Sequence, residues 1–207
     1  MPIHTVSAGE SIISIASGYG FFWKTIWEHG SNTSLKEKRK NPNVLLAGDE
    51  VFIPEKKLKE VTKSTDGSHK FKRKGEPVKL KLQLKMMDEP RANEKYSLDI
   101  GGKLIKGTTD GDGNLEEFIP NNASSATLIM KDGKEQYSIR IGELDPVEEI
   151  SGLQQRLNNL GFDCGSDAGE LGEATKEALK KFQARHELTV TGEPDGATKS
   201  KLGELHQ

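Results

Sequence analysis

The stretch DAGELGEATKEALKKFQ, from Asp167 to Gln183, begins as a turn and ends as a helix. Its front half holds two glycines and three acidic residues, whereas lysines and the apolar Ala178, Leu179 and Phe182 fill its back half. These apolar residues follow the spacing of a helix with one buried face. A glycine-rich acidic turn before a helix is compatible with a metal ion or a phosphate, and equally with a ligand that meets backbone and small side chains.

The composition limits the size of any core. The chain has 207 residues, of which 33% are hydrophobic and 30% are charged, and this fits one or two ordinary domains or three small ones. No stretch is apolar for long enough to cross a bilayer, and the start MPIHTVSAGESII lacks the features of a secretory signal. The single Cys164 excludes an internal disulfide and is expected to fill a gap in a core.

Charge is spread unevenly along the chain. The net charge is −2 overall, with +2 in residues 1–63, 0 in residues 64–145 and −4 in residues 146–207. The acidic C-terminal third disfavours nucleic acid, whose binding depends on cations that contact phosphates. The basic run KEKRK, Lys36 to Lys40, is interpreted as a solvated loop, with an anion-reading patch as the alternative.

Residues 1–55 are predicted to form a strand, two helices and a second strand. Ser11 is placed to cap the first helix, Gly18 and Gly20 to end it, and Gly30 to end the second. A loop is predicted next, followed by a strand that Pro54 stops. Residues 56–75 show no sustained period and are predicted to be a linker.

Residues 76–145 change to a period of two. From Val78 to Met86 apolar residues alternate with polar ones, as in a strand with one buried face. Further strands are predicted at 96–100, 103–108, 115–119, 126–130 and 136–141, with hairpin turns at Gly101-Gly102 and Asp132-Gly133. This pattern predicts a small antiparallel β-sandwich that acts as a spacer.

Residues 146–207 return to helical spacing. One apolar face runs from Ile150 to Leu160 and stops at Gly161, and a second occupies the back half of the opening stretch. A last short helix is predicted to begin at an Asp195 cap. The predicted fold class is therefore multidomain α+β.

No pattern in the chain predicts catalysis or a cofactor. The five histidines lack paired metal-ligand spacing, and no phosphate loop or nucleophile motif is present. The run DGDGNLEEFIPN, Asp110 to Asn121, begins like a calcium-binding EF-hand loop but has Leu115 where glycine is needed and Asn121 where glutamate is needed, so a hairpin turn is predicted instead. The chain is therefore interpreted as a binder with no enzymatic activity, no metal and no cofactor.

The N-terminal segment resembles a LysM module, a βααβ fold that binds glycans containing N-acetylglucosamine. The resemblance lies in HTVSAGESIISIASGYG and NPNVLLAGDEVFIP. In such modules the sugar lies between the loop after the first strand and the loop before the second strand. The resemblance implies a ligand-binding groove at the following residues: Gly9, Glu10, Ser11, Asn43, Val44 and Leu45.

The C-terminal segment resembles the three-helix, type 1 peptidoglycan-binding domain of many cell-wall hydrolases. The matching run begins LQQRLNNLGF at Leu153, continues through the opening stretch, and ends GEPDGATKSKL at Leu202. The resemblance implies a shallow groove formed by backbone amides and a few apolar contacts. The residues predicted to lie near this groove are Phe162, Leu171, Gly172, Thr175 and Lys176.

The middle segment is similar to β-modules that join wall-binding domains in proteins linked to phage-tail-like and type VI injection machines. The stretch YSLDIGGKLIKGTTDGDGNLEEFIP, Tyr96 to Pro120, carries this similarity. This similarity implies that injection-machine or phage-tail proteins are candidate partners in addition to peptidoglycan.

Together these observations predict a LysM-like domain at 1–55, a linker at 56–75, a β-sandwich at 76–145 and a three-helix domain at 146–207. The leading hypothesis is a non-catalytic protein that binds peptidoglycan through two modules. The alternatives are an adaptor of an injection machine and, third, a cell-wall amidase or peptidase. The expected location is the bacterial cell wall, periplasm or exterior, reached without a cleavable signal, or the cytoplasm before delivery. Neither a membrane nor nucleic acid is an expected partner.

Overall fold

The computed structural model describes residues 2–57, 60, 62–70, 78–166 and 168–206. In these ranges the chain is mixed α+β, with small antiparallel sheets and several helices. Buried hydrophobic residues form three separate clusters, one within each of the ranges 1–55, 76–145 and 146–207. The boundaries between the predicted domains stay a prediction. Parts of the predicted linker, and Asp167 of the opening stretch, lie outside the described residues.

The N-terminal region contains a two-stranded antiparallel sheet and three α-helices. Its elements are β1 (Ile3–Thr5), α1 (Ile12–Tyr19), α2 (Trp23–Trp27), α3 (Thr33–Arg39) and β2 (Glu50–Phe52). The predicted cap of α1 is confirmed: the Ser11 side chain accepts from the Ser14 amide, and the Ser14 hydroxyl accepts from the Ser11 amide. Gly20 ends this helix with φ of +71°, a conformation that favours glycine.

The prediction of a loop after Gly30 is wrong, because α3 occupies residues 33–39. The segment buries only one hydrophobic side chain, Leu35, so local periodicity did not indicate a helix. An ion pair holds its end: Arg39 Nε lies 2.6 Å from Asp49 Oδ2 and Arg39 Nη2 lies 2.9 Å from Oδ1. Both side chains are only 5% exposed, and a buried charge needs such a partner.

The basic run KEKRK is therefore neither a free loop nor an open basic patch. Besides Arg39, Lys36 pairs with Glu28 at 2.5 Å, and Lys38 lies 3.4 Å from Asp49. Three of its four cations thus have carboxylate partners within the N-terminal region.

A buried asparagine joins the helices of this region to its sheet. Asn32 donates through Nδ2 to the carbonyls of Ile26 and Phe52, at 2.8 and 2.9 Å. Its Oδ1 accepts from the Phe52 amide at 2.8 Å. The Asn32 side chain therefore supplies hydrogen-bond partners for the Ile26 carbonyl at the end of α2 and for both backbone groups of Phe52 in β2.

Residues 78–140 form small antiparallel sheets, as predicted. The strands are β3 (Val78–Gln83), β4 (Lys85–Met86), β5 (Glu89–Pro90), β6 (Lys95–Ile100), β7 (Lys103–Thr108), β8 (Asn114–Ile119), β9 (Ser125–Met130) and β10 (Glu135–Arg140). One sheet has the order β10-β9-β6-β7, and the pairs β3-β8 and β4-β5 form two further sheets. The predicted hairpins at 101–102 and 132–133 are confirmed.

Two predictions in this region are wrong. Residues 78–86 are not one strand, because the chain changes its pairing partner at Leu84: its amide donates to the Gly113 carbonyl at 2.8 Å, next to β8, whereas its carbonyl accepts from the Arg91 amide at 2.9 Å, next to β5. The turn at 110–113 is not a hairpin, because it connects β7 of the four-stranded sheet to β8, which pairs with β3. Gly113 has φ of +76°, and a Cβ there would lie 2.5 Å from the Leu84 carbonyl oxygen. The crossing between sheets depends on this close approach.

Tyr96 links the four-stranded sheet to the β3-β8 pair. Its hydroxyl lies over Gly107 and donates to Glu117 Oε1 at 2.7 Å. Burial, together with the neighbouring carboxylate, raises the pKa of Tyr96 to about 12. The phenol therefore stays a hydrogen-bond donor throughout the physiological pH range.

The C-terminal region is helical, with α4 (Ile150–Asn159), α5 (Glu173–Arg185) and α6 (Gly196–Glu204). The predicted Asp195 cap is confirmed, since its carboxylate accepts from the Thr198 amide at 2.8 Å. None of the helices in the described ranges combines the length and apolar composition needed to cross a membrane.

The entry into α4 is packed closely against the helix. A Cβ on Gly152 would lie 2.0 Å from the Pro146 carbonyl oxygen, so only glycine fits there. Gln155 Oε1 accepts from the Asp145 amide at 2.7 Å, and Arg156 Nη1 donates to the Asp145 carbonyl at 2.6 Å. Asp145 and Pro146 are therefore fixed to the helix that follows them.

Candidate functional site

The loop between α4 and α5, which contains most of the predicted peptidoglycan-binding residues, is fixed by one buried side chain. Gln154 of α4 accepts from the Gly169 amide at 2.8 Å. Its Nε2 donates to the Glu170 carbonyl at 2.8 Å and to Thr175 Oγ1 at 2.9 Å. One amide side chain thus joins α4, the loop and the first turn of α5.

The loop between α5 and α6 is fixed in the same way by Gln183. Its Oε1 accepts from the amides of Thr191 and Gly192, each at 2.9 Å. Its Nε2 donates to the Glu193 carbonyl at 2.9 Å and to Thr198 Oγ1 at 3.0 Å. Gln183 is fully buried, so it is a core residue although its side chain is polar.

The two arrangements form an internal repeat that the sequence prediction missed. The signal is present in the runs GELGEAT, from Gly169, and GEPDGAT, from Gly192, which are spaced by 23 residues. Both glycines have positive φ, of +77° and +75°, and in each run the last threonine receives the glutamine hydrogen bond. The turn at Gly169 and Glu170 is thus shaped by a buried amide side chain.

Four of the five residues predicted for the C-terminal groove are partly exposed. Phe162 and Leu171 pack against the edge of the core, and the Phe162 ring meets Phe182 edge-on at 5.5 Å. Gly172 is the N-cap of α5, and Lys176 in the first turns lies 3.4 Å from Glu173. These residues offer apolar surface, the amides at the start of a helix and one cation.

Thr175 is a correction to this set. It is fully buried, and its hydroxyl accepts from Gln154. The structure therefore places Thr175 in the core, where it supports the loop from within.

The predicted N-terminal groove brings together two loops. The Ile12 amide donates to the Pro42 carbonyl at 2.9 Å, which places the loop at Gly9 and Glu10 beside Asn43 and Val44. Ser11 and Leu45 are corrections, because both are buried, the first as the cap of α1 and the second in the core. The exposed part of the predicted set is thus smaller than expected.

Glu10 in this loop is fixed by polar partners. Its Oε2 accepts from the Ser7 amide at 2.8 Å and lies 2.8 Å from His4 Nε2. Burial opposes ionisation, but the hydrogen bonds from Ser7 and His4 outweigh it and lower the pKa of Glu10. Glu10 is therefore a carboxylate that holds the loop in shape, and it also forms part of the surface of the loop.

Shallow depressions in the N-terminal region lie away from the predicted groove. One, between α2 and α3, is lined by Trp27, Glu28, His29, Thr33, Lys36, Glu37 and Lys40. Another, beside the end of β2, is lined by Pro2, Gly18, Tyr19, Phe21, Ile53, Pro54, Glu55 and Lys56. Within the described part of the chain, no group of three or more His, Cys, Asp or Glu side chains is placed to hold a metal ion.

Comparison with known proteins identifies the class of the C-terminal region. Residues 146–202 match the family described as "Putative peptidoglycan binding domain". This part of the chain is therefore identified as a peptidoglycan-binding domain of type 1.

A short part of the chain is also similar to a curated protein. The chain is 31% identical over 61 residues to a protein named "Probable CtpA-like serine protease" from Staphylococcus haemolyticus (strain JCSC1435). The similarity covers 30% of this chain and 12% of that protein. No solved structure matches the chain significantly.

Proposed function

We propose that this protein binds peptidoglycan without cleaving it, through its C-terminal domain and a LysM-like N-terminal module. The observation that carries the proposal is the family match at residues 146–202, together with a loop whose shape is fixed by Gln154. A preorganised loop loses little entropy on binding, and this favours recognition of a flexible polymer.

The C-terminal surface fits the chemistry of peptidoglycan. Glycan strands and stem peptides carry amides, hydroxyls and carboxylates, with flat apolar faces on the sugar rings. Phe162 and Leu171 supply apolar contacts, the start of α5 supplies amides, and Lys176 supplies a positive charge for a carboxylate.

The N-terminal module is proposed to add a second, weak contact with N-acetylglucosamine units through the loops at Gly9 and Asn43. The support is the adjacency of these two loops, which the Ile12–Pro42 hydrogen bond maintains. Two weak sites on one polymer raise the overall affinity, because the second binds at high effective concentration.

Co-sedimentation with purified sacculi tests this function. The full chain is expected to sediment with the wall at moderate salt, and Lys176→Ala is expected to reduce the sedimented fraction. Lys181→Ala is the matched control, because Lys181 is an exposed lysine on the same helix. Failure of the full chain to sediment would refute wall binding, and release of soluble wall fragments would refute the non-catalytic assignment.

A further inference from the structure

The loop that begins at Gly9 is in contact with a distant segment of the chain. Gly9 has φ of +82°, and a Cβ built on it would lie 3.1 Å from Glu143 Cγ. A Cβ built on Gly142 would lie 3.4 Å from the Gly9 carbonyl oxygen. Gly142 and Glu143 therefore approach the backbone of this loop to van der Waals distance.

Arg39, at the end of the N-terminal region that contains the Gly9 loop, lies within electrostatic reach of Glu148 and Glu149 at the start of the C-terminal domain. The ion pair with Asp49 is the main cause of the raised pKa of Arg39, and the negative charges of Glu149 and Glu148 raise it further. Asp49 neighbours the Gly9 loop, because its carbonyl accepts from the Val6 amide at 2.8 Å. The net charges of +2 for residues 1–63 and −4 for residues 146–207 are complementary.

The residue that precedes the contacting segment is held by the sheet. The Ile141 amide donates to the Ser124 carbonyl at 2.9 Å, at the end of the four-stranded sheet. Glu143 Oε2 lies 3.2 Å from Arg140 Nη1, which directs the carboxylate towards β10. A Cβ built on Gly9 would lie 3.1 Å from Glu143 Cγ and 3.7 Å from Oε1, so the whole end of the Glu143 side chain lies against this loop.

We propose that Gly142–Glu143 is an intramolecular lid on the loop of Gly9 and Glu10, and that a glycan has to displace this lid to enter the N-terminal groove. The inference rests on the proposed sugar-binding function of the N-terminal module. A lid that is closed most of the time lowers the apparent affinity by the fraction of molecules that are open. The N-terminal module then binds weakly until a wall strand already held by the C-terminal domain supplies a high local concentration of sugar.

The test compares the full chain with Glu143→Ala and Glu143→Gln. The alanine variant removes the Cγ that covers Gly9, whereas the glutamine variant keeps it and changes only the charge. Amide resonances of Gly9 and Glu10 report the contact, and calorimetric titration with a soluble tetramer of N-acetylglucosamine reports binding. Glu143→Ala is expected to shift both resonances and to raise the affinity by about threefold to tenfold, and Glu143→Gln is expected to resemble the wild type.

Three results would overturn the lid. Unchanged resonances in Glu143→Ala would mean that the contact is absent. Shifted resonances with unchanged affinity would mean that the contact does not restrict the sugar. Failure of every variant to bind the tetramer would remove both the lid and the sugar-binding role of the N-terminal module. Sedimentation with sacculi would then show whether the C-terminal part of the proposed function survives.

Discussion

Gln154 and Gln183 occupy equivalent positions in two successive helix–loop–helix units. Each accepts a hydrogen bond from the amide of a positive-φ glycine and donates one to a buried threonine on the next helix. The C-terminal domain therefore uses the same arrangement of hydrogen bonds in both of its interhelical loops. Its apolar core sets the distances between helices, whereas the two amide side chains set the course of the loops.

The first prediction concerns Gln183→Leu. The substitution leaves the amides of Thr191 and Gly192 and the carbonyl of Glu193 without their partner, and we expect a loss of about 2–4 kcal/mol in stability of this domain. Residues 146–207 contain neither Trp nor Tyr, so hydrogen exchange of peptides from α5 and α6 is the appropriate measurement. Asn159→Ala, at an exposed position on α4, is the control, and an equal loss there would contradict the assigned role.

The second prediction separates the buried Thr175 from the partly exposed Lys176 beside it. Thr175→Val removes the acceptor for Gln154 without changing the volume much, and we expect a loss of about 1 kcal/mol in stability with little change in sedimentation on sacculi. Lys176→Ala is expected to reduce sedimentation on sacculi and to change stability little. Loss of wall binding by Thr175→Val, in a variant that hydrogen exchange shows to be folded, would mean that the hydroxyl contacts the ligand after all.

The third prediction concerns the Arg39–Asp49 pair. Arg39→Met leaves the Asp49 carboxylate buried without its main partner, and we expect a loss of about 3 kcal/mol, measured by urea unfolding followed by fluorescence of Trp23 and Trp27. Adding Asp49→Asn is expected to recover part of this loss, because the unpaired charge is then removed. Lys38→Ala, at a side chain that is 63% exposed, should change stability by less than about 0.5 kcal/mol. No recovery in the double variant would contradict the account.

The fourth prediction concerns pH. Hydrogen bonds and charges from Lys131 and Arg91 lower the pKa of Glu135 from 4.5 to about 2. Because the pKa is lower in the folded state, Glu135 stabilises the fold above pH 4.5, and this contribution disappears as the pH falls from about 4.5 towards 2. Hydrogen exchange of β9 and β10 across this range should show a smaller acid dependence in Glu135→Gln than in wild type. The exposed Glu37→Gln serves as the control, and parallel pH profiles for wild type and Glu135→Gln would refute the prediction.

The sequence predicted those parts of the fold that local patterns determine. Alternation from Val78 and the glycine turns at 101–102 predicted strands and a hairpin, and the Ser11 and Asp195 caps predicted helix starts. The helix α3 was missed because its anchor is an ion pair with a residue ten positions away. The crossing between sheets at Gly113 was missed because alternation indicates a buried face but not which strand lies beside it.

The candidate site was predicted less completely than the fold. Partly exposed positions such as Phe162 and Lys176 were predicted through the motif, but the motif also contains residues that lie in the core. Thr175, Ser11 and Leu45 were assigned to ligand contact although the structure buries them. A sequence motif contains residues needed for the fold as well as residues that could contact a ligand. The burial of each side chain in the structure is needed to tell the two groups apart.

The close packing of Gly152 on Pro146 has a mechanical consequence. Ile141 is hydrogen-bonded to the sheet and Asp145 is fixed to α4, so three residues, spanning about 10 Å when extended, separate the two anchored ends. The C-terminal helices are therefore joined to the sheet by a short connection. A force applied to these helices would pass through three residues to β10, the last strand of the sheet along the chain.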